Sequence, residues 1–334
     1  MSVSTPSTSM PTLFSGARDA TSQAALAARR KAFRALHERG CFVIPNPWDV
    51  GSAWYLQRLG FPALATTSAG FAFSQGLPDS GDDDVVSRDR NLAYIAAITA
   101  AVDLPVSADF MSGYGMKPED VAESVTRCVA TGVAGLSIED ATGDASSPLY
   151  DLPIAVERVR AARRAIDQSG ADVLLTARAE CYHVGHRDPF PESVRRLQAY
   201  AAAGADVLFA PGPQNPAEIK ALVEAVAPKP LNLLVVRDIG SSVGEIAALG
   251  VRRISVGGAL ALAAWTGFMR AAQTLKSEGS FAGLASLVPY AEINGLFASN
   301  LAAQHGVDDQ CGRSESLDLD NVGDIADEGT GHRG

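Results

Sequence analysis

The chain has 334 residues, of which 47% are hydrophobic and 20% charged, with 31 Gly, 18 Pro and a formal net charge of −10. This composition excludes a wholly disordered or fibrous protein, and the length allows one large α/β barrel or two average domains. The acidic balance argues against a nucleic-acid partner, and no apolar run reaches the ~18 residues of a membrane span.

In chain order, residues 1–22 are rich in Ser, Thr and Pro and lack the apolar segment of a secretory signal, so they read as a disordered leader. Residues 23–304 read as a single catalytic domain. Short β-rich runs there alternate with Ala-rich helical stretches, and eight runs qualify as strands: Cys41–Pro45, Ala63–Thr67, Pro105–Ala108, Gly135–Glu139, Val173–Ala177, Val207–Phe209, Leu231–Val236 and Arg253–Val256. Their starts lie 22 to 42 residues apart, room each time for a helix and two turns. Helices are expected over Pro118–Val129, Pro153–Ile166 and Pro191–Ala203, each opening with Pro and an early acid. Strand–helix alternation repeated in this way predicts a (β/α)8 TIM-type barrel. A doubly wound open sheet is the runner-up fold, but no GxGxxG follows the first strand. Residues 305–334 hold eight acids against two Arg and read as a solvated acidic tail. The cysteines at 41, 128, 181 and 311 show neither a disulfide framework nor a CxxC spacing, which fits a reducing compartment such as the cytoplasm.

Barrel active sites sit at the C-terminal ends of the strands. Asp109, Glu139 and Arg178 fall there on three consecutive predicted strands. Two neighbouring carboxylates suit Mg²⁺, which commonly takes one or two and completes its shell with water and substrate oxygens. Arg178 offers a planar fork for a carboxylate or phosphonate. The small residues Thr67, Ser68, Ala69 and Gly70 follow a strand, where backbone N–H groups can cradle an anion. The plainer readings stand beside these. A lone acid at a strand end usually shapes a turn or an ion pair, and Thr-Thr-Ser is ordinary turn chemistry. His183 and His186 lack a third metal ligand, Cys181 reads as buried and structural, and Trp48 as packing.

At these residues the chain resembles the isocitrate lyase/phosphoenolpyruvate mutase superfamily. The resemblance spans about Ala25 to Leu301 and rests on NPWDVGSAWYLQRLGFPALATTSAG, SQGLPD, VSADFMSGYG, GVAGLSIEDAT, TARAE, GADVLFAPG and SFAGLASLVPYAEIN, in that order. It implies Mg²⁺ dependence, with Mn²⁺ as an alternative, and action on small 2-oxo acids or on dicarboxylates that cleave to them. It also implies that Asp109 and Glu139 bind the metal, with Asp79 and Ser107 beside the metal site. Thr67, Ser68 and Ala69 would bind the substrate carboxylate together with Arg178, and Thr67 and Arg178 would be catalytic; Asn232, which the seventh predicted strand presents to the same rim, is a further candidate for binding substrate. The C-terminal helices, Gly279 to Asn300, would be swapped between subunits of a homodimer or homotetramer.

Three departures shape the expected activity. Ser107-Ala108-Asp109 stands where the family usually has Asp-x-Asp. The segment Ala141 to Pro148 lacks the Lys-x-Cys-Gly-His gating motif of the isocitrate and methylisocitrate lyases. It also lacks the Lys and Asn of the phosphonate mutases, whose His has no clear counterpart here. The remaining reading is a Mg²⁺-dependent C–C bond-cleaving enzyme, of decarboxylase or lyase type, acting on a small 2-oxo or 2-hydroxy dicarboxylate through an enolate. Solvent or a loop residue such as Tyr150 would protonate it. The alternatives are P–C chemistry, as a phosphonomutase or phosphonopyruvate hydrolase, and a catalytically degenerate barrel that only binds 2-oxo acids.

Overall fold

The computed structural model describes residues 20–80 and 85–304. The acidic tail and nearly all of the expected leader lie outside the described residues. The chain divides into two units, residues 1–286 and 287–334.

The first unit is built on eight strands: β1 (Phe42–Ile44), β2 (Leu64–Ala65), β3 (Val106–Ala108), β4 (Gly135–Glu139), β5 (Leu174–Arg178), β6 (Val207–Phe209), β7 (Leu231–Leu234) and β8 (Arg253–Ser255). Every pairing is parallel, in the order β1-β8-β7-β6-β5-β4-β3-β2. A single backbone bond, Ala65 N–H to Pro45 O at 3.0 Å, links the two ends and brings the sheet round into a nearly closed barrel. The expected (β/α)8 fold is therefore the observed one: β4 and β6 match their β-rich runs, β5 is shifted by one residue, and the other strands are shorter than their runs.

The strands follow a period of two. In β4, Leu136 and Ile138 point out into the main apolar core. Gly135, Ser137 and Glu139 point inward. The helices follow their caps. Helices α5 (Pro118–Ala130), α6 (Leu152–Gln168) and α7 (Pro189–Ala202) each carry Pro in the first turn. Helix α7 starts two residues earlier than expected, because Pro189 rather than Pro191 occupies the entry position.

Helix α1 (Ala20–Leu36) closes the N-terminal end of the barrel. Its Phe33 is fully buried among Phe42, Ala63, Ala134, Leu174 and Val207. A Cβ on Gly135 would lie 2.7 Å from the Phe33 ring, so this strand position must lack a side chain for the plug to seat. Arg29 and Arg30 tie the helix down, donating to Val102 O at 2.9 Å and Val133 O at 3.0 Å.

The last helix of this unit, α10 (Ala259–Glu278), has a single buried residue, Ala261. It leaves Trp265, Phe268 and Met269 exposed. The second unit contains one described helix, α11 (Tyr290–Gln304). No helix among the described residues is long and apolar enough to cross a membrane.

Candidate active site

The strand ends bring Asp109, Glu139 and Arg178 together. Glu139 and Arg178 are register partners at the tips of β4 and β5, and Asp109 follows the last residue of β3. The Arg178 Nη1 lies 3.1 Å from Glu139 Oε2 and 3.6 Å from Asp109 Oδ1. Asp109 is held in place by two further contacts. Its backbone N–H donates to Thr66 Oγ1 at 2.8 Å, and its Oδ2 accepts from the Ser68 N–H at 3.0 Å. Thr67 caps the short helix α3 (Ser68–Ser74), its hydroxyl accepting from Gly70 N–H at 3.2 Å. One N–H of the small-residue loop is thus taken up by the protein's own Asp109.

The other edge of Arg178 is fixed by Glu180, a residue that spacing alone did not single out. Its two oxygens accept from Arg178 Nε and Nη2, the latter at 3.2 Å. Glu180 is buried, and behind it lies a buried charged network. Asp140 Oδ1 accepts from the Glu180 N–H at 2.8 Å. Its Oδ2 accepts from Arg196 Nη1 at 3.0 Å and from the Tyr200 hydroxyl at 2.5 Å. Arg196 donates in turn to Glu192 at 2.7 Å.

Four carboxylates, Asp79, Asp109, Glu139 and Glu180, thus surround one guanidinium. Burial, reinforced by Glu180, Asp109 and Asp79, outweighs the pull of Arg178 and pushes the Glu139 carboxyl up to about 8. Burial also raises Glu180, and burial together with the Asp109 charge raises Asp79. Burial works against the Arg178 charge, but Glu180, Glu139 and Asp109 more than compensate and hold it above its ordinary value.

Two cavities meet here. The outer one, about 360 Å³, is lined by Ser68, Asp79, Glu139, Arg178, Glu180 and His183 together with residues of the loop after β4. That loop is braced internally by an Ala141–Leu149 bridge and by Ser146 N–H to Asp144 Oδ1 at 2.8 Å. The inner cavity, about 200 Å³, runs from Thr67, Ser68, Ala69, Asp109 and Arg178 into the barrel, where Ser107, Asn232 and Arg253 line it.

The expected residues therefore separate by depth. Asp79, Asp109, Glu139, Arg178, Thr67, Ser68 and Ala69 share the rim. Ser107 points into the barrel one layer below Asp109. Asn232, the second residue of β7, also lies in the barrel interior, bonded to Arg253 and Ser255. Tyr150 lines neither cavity, and the Arg158 guanidinium lies 4.0 Å over its ring. The histidines part company. His183 lines both cavities, whereas His186 accepts the Asp188 N–H at 3.1 Å. Cys181 is fully buried, and burial pushes its thiol up to about 11, as suits a structural residue. Trp48 packs where a Cβ on Gly70 would stand.

Among the described residues no group of three His, Cys, Asp or Glu side chains is disposed to hold a metal ion. Asp109 and Glu139 nevertheless face the same Arg178 nitrogen, so their oxygens converge. Two hard oxygen donors beside an open cavity fit Mg²⁺, which leaves most of its sites to water and substrate.

Comparison with known proteins gives the family. The sequence model described as Phosphoenolpyruvate phosphomutase matches residues 33–276. A Mycobacterium tuberculosis (strain H37Rv) protein described as uncharacterized is 33% identical over 262 residues, 78% of this chain and 94% of that one. The 2-methylisocitrate lyase of Escherichia coli K12 is 33% identical over 187 residues, 54% of this chain and 60% of the lyase. A solved structure from Burkholderia cenocepacia J2315, provisionally described as a lyase/mutase, has a TM-score of 0.78 at 47% identity, covering 82% of this chain and 97% of that one. Further relatives bear the names oxaloacetate decarboxylase and carboxyvinyl-carboxyphosphonate phosphorylmutase. The chain belongs to the phosphoenolpyruvate phosphomutase family, within the isocitrate lyase/PEP mutase superfamily of lyases and mutases.

Proposed function

We propose that the chain is a Mg²⁺-dependent enzyme, with Mn²⁺ as an alternative, that breaks a C–C bond in a small 2-oxo or 2-hydroxy dicarboxylate and leaves the enolate of a 2-oxo acid. The observation that carries this reading is the meeting of two carboxylates at one guanidinium nitrogen, Arg178 Nη1, 3.1 Å from Glu139 and 3.6 Å from Asp109. Asp109 and Glu139 would hold the cation, which supplies Lewis-acid stabilisation of negative charge developing on substrate oxygens. Glu180 fixes Nε and Nη2 of Arg178; with Asp109 and Glu139 turned to the cation, the Nη1 side of the fork would be released to bind and orient the substrate carboxylate. The small side chains of Ser68 and Ala69 let the anion approach the backbone, while the Ser68 N–H holds Asp109. Thr67 holds that loop by capping α3. Asp79 adds a further carboxyl to the same wall. His183 replaces Tyr150 as the residue that protonates the enolate carbon, since its imidazole is on the cavity wall.

Relatives named lyase and decarboxylase support C–C cleavage. The family description and the relative named phosphorylmutase support the second reading, P–C chemistry on a phosphonate. A third reading, binding without turnover, draws on the Arg178 contacts to both metal-site acids. The exposed apolar face of α10 supports packing against a second copy, as a homodimer or homotetramer with the C-terminal helices exchanged. The free thiols of Cys41, Cys128 and Cys181 support a cytoplasmic setting.

The test is product formation. Purified protein with Mg²⁺ is incubated with a panel of 2-oxo and 2-hydroxy dicarboxylates, and 2-oxo acid release is followed by proton NMR. Release that stops with a chelator is expected. No release from any member, with a new phosphorus signal from phosphonopyruvate, would establish the P–C reading instead. Silence in both assays with Mg²⁺-dependent oxalate binding would establish the binding reading.

A further inference from the structure

The middle of a TIM-type barrel is ordinarily filled by branched aliphatic side chains. Here the inward positions one layer below the rim are Ser107, Ser137, Thr176, Asn232 and Arg253, and four of them line the 200 Å³ inner cavity. Arg253 is 5% exposed. Its Nε donates to Asn232 Oδ1 at 2.7 Å and its Nη2 to Thr176 Oγ1 at 3.1 Å, while Nη1 stands 3.5 Å from His37 Nε2. The Thr176 contact joins strands on different sides of the barrel, β8 to β5, so the side chain reaches across the interior.

Every one of these partners is neutral. His37 is uncharged as well: burial, then the Arg253 charge, pushes its pKa down to about 3. The His37 Nδ1 donates to Phe33 O at 2.8 Å, which leaves Nε2 as a lone-pair acceptor toward Arg253. Among the described residues no carboxylate pairs with Arg253. Burial alone acts on it and lowers its pKa to about 9, so it remains a cation at neutral pH. A guanidinium has five N–H donors, and the three contacts above leave two of them. A buried charge without a counter-charge costs several kcal/mol, and such charges are ordinarily paired. The cavity in front of Arg253 supplies the space for an anion, and Asn232 and Ser255 supply neighbouring polar groups.

Depth gives the class of ligand. Thr176, which Arg253 touches, lies two residues before Arg178 on the same face of β5, a rise of roughly 7 Å. The barrel thus presents one guanidinium at the rim and a second about one short carbon chain below it.

We propose that Arg253 forms a second anion subsite inside the barrel, which takes the distal carboxylate of a short dicarboxylate whose oxo-acid end is held at the Asp109–Glu139–Arg178 rim. The assignment of the oxo-acid end rests on the function proposed above; the subsite rests on Arg253 and its cavity.

The experiment is calorimetry on the full-length protein with Mg²⁺, using oxalate, malate, 2-oxoglutarate and the distal monoamides of the last two. Wild-type protein should bind at least one diacid about tenfold or more tighter than its monoamide, since the amide removes only the distal charge. Arg253→Met should abolish that gap and leave oxalate affinity within about twofold. Equal affinities for diacid and amide in the wild type overturn the subsite, and this comparison decides the matter even if the variant does not fold. A gap that persists in Arg253→Met overturns it too. Wild-type protein that shows the gap yet does not bind oxalate would overturn the rim reading and support the subsite.

Discussion

The network behind the rim makes a quantitative prediction. Replacing Asp140 with Asn keeps the shape of the side chain and removes its charge. In the wild type the Asp140–Arg196 pair is 3.0 Å long, with side chains 3% and 7% exposed. Removing one partner of a buried pair costs ~3–5 kcal/mol, because the other charge stays buried. Arg196 keeps Glu192 at 2.7 Å, so the cost should fall near the lower end, ~3 kcal/mol. The Asn amide also sets an N–H₂ against donors, since Arg196, Tyr200 and the Glu180 N–H all give hydrogen bonds to Asp140. Urea unfolding followed by circular dichroism measures the loss directly, provided the slope of the transition is unchanged. The double variant Asp140→Leu/Arg196→Leu should recover part of it by removing both charges. A loss under ~1 kcal/mol in Asp140→Asn, with no gain from the double change, would refute the claim that this network is a buried ion pair supporting Glu180 and Arg178.

Four further outcomes follow. Neutral His37 has a folded pKa of about 3 against an ordinary 6.5, so its contribution is fully present above pH 6.5 and is lost as pH falls toward 3. That loss amounts to up to roughly 5 kcal/mol, and a His37→Gln variant should show a flatter acid limb in denaturant melts; parallel pH profiles contradict it. The Glu139 carboxyl sits at about 8 without metal, so Mg²⁺ should displace a proton below that pH, with apparent affinity rising up to pH 8 and levelling above it. Titration in buffers of different ionisation enthalpy reads the proton, and Glu139→Gln should abolish the release. Arg178→Ala should lower kcat/KM at least about tenfold, ~1.4 kcal/mol of transition-state binding, and an unchanged value removes it from the site. His183→Gln should lower kcat by about 10²-fold while oxalate affinity holds, and an unchanged kcat returns the proton to solvent.

Much of this molecule is legible in its sequence because the barrel repeats one rule. Gly135–Glu139 is the observed β4 to the residue, and the Pro118 start of α5 is exact, since an alternating apolar run and a Pro–acid cap are local signals. Asp109, Glu139 and Arg178 could be placed at the rim because a strand end fixes them. Depth was harder to read. Asn232 reads in the sequence as a rim residue, but it is the second residue of β7, near the start of its strand, and so lies in the barrel interior. The supports of the site were hidden for another reason. Arg196 and Tyr200 lie 56 and 60 residues from Asp140 in the chain, and only the packing of α7 brings them together. The Phe33 plug likewise depends on a missing side chain at Gly135, across a separation no periodicity reports. Arg253 sits within an ordinary β-rich run, where nothing local shows that its neighbours are neutral.

The most direct test of the account is oxalate binding by calorimetry, with Mg²⁺ and with a chelator, in the wild type and in Asp109→Asn. Oxalate mimics the enolate of a 2-oxo acid, so the rim described here predicts binding that requires the metal and is lost or greatly weakened in the variant. Equal binding with and without Mg²⁺, or binding that Asp109→Asn leaves untouched, would contradict it.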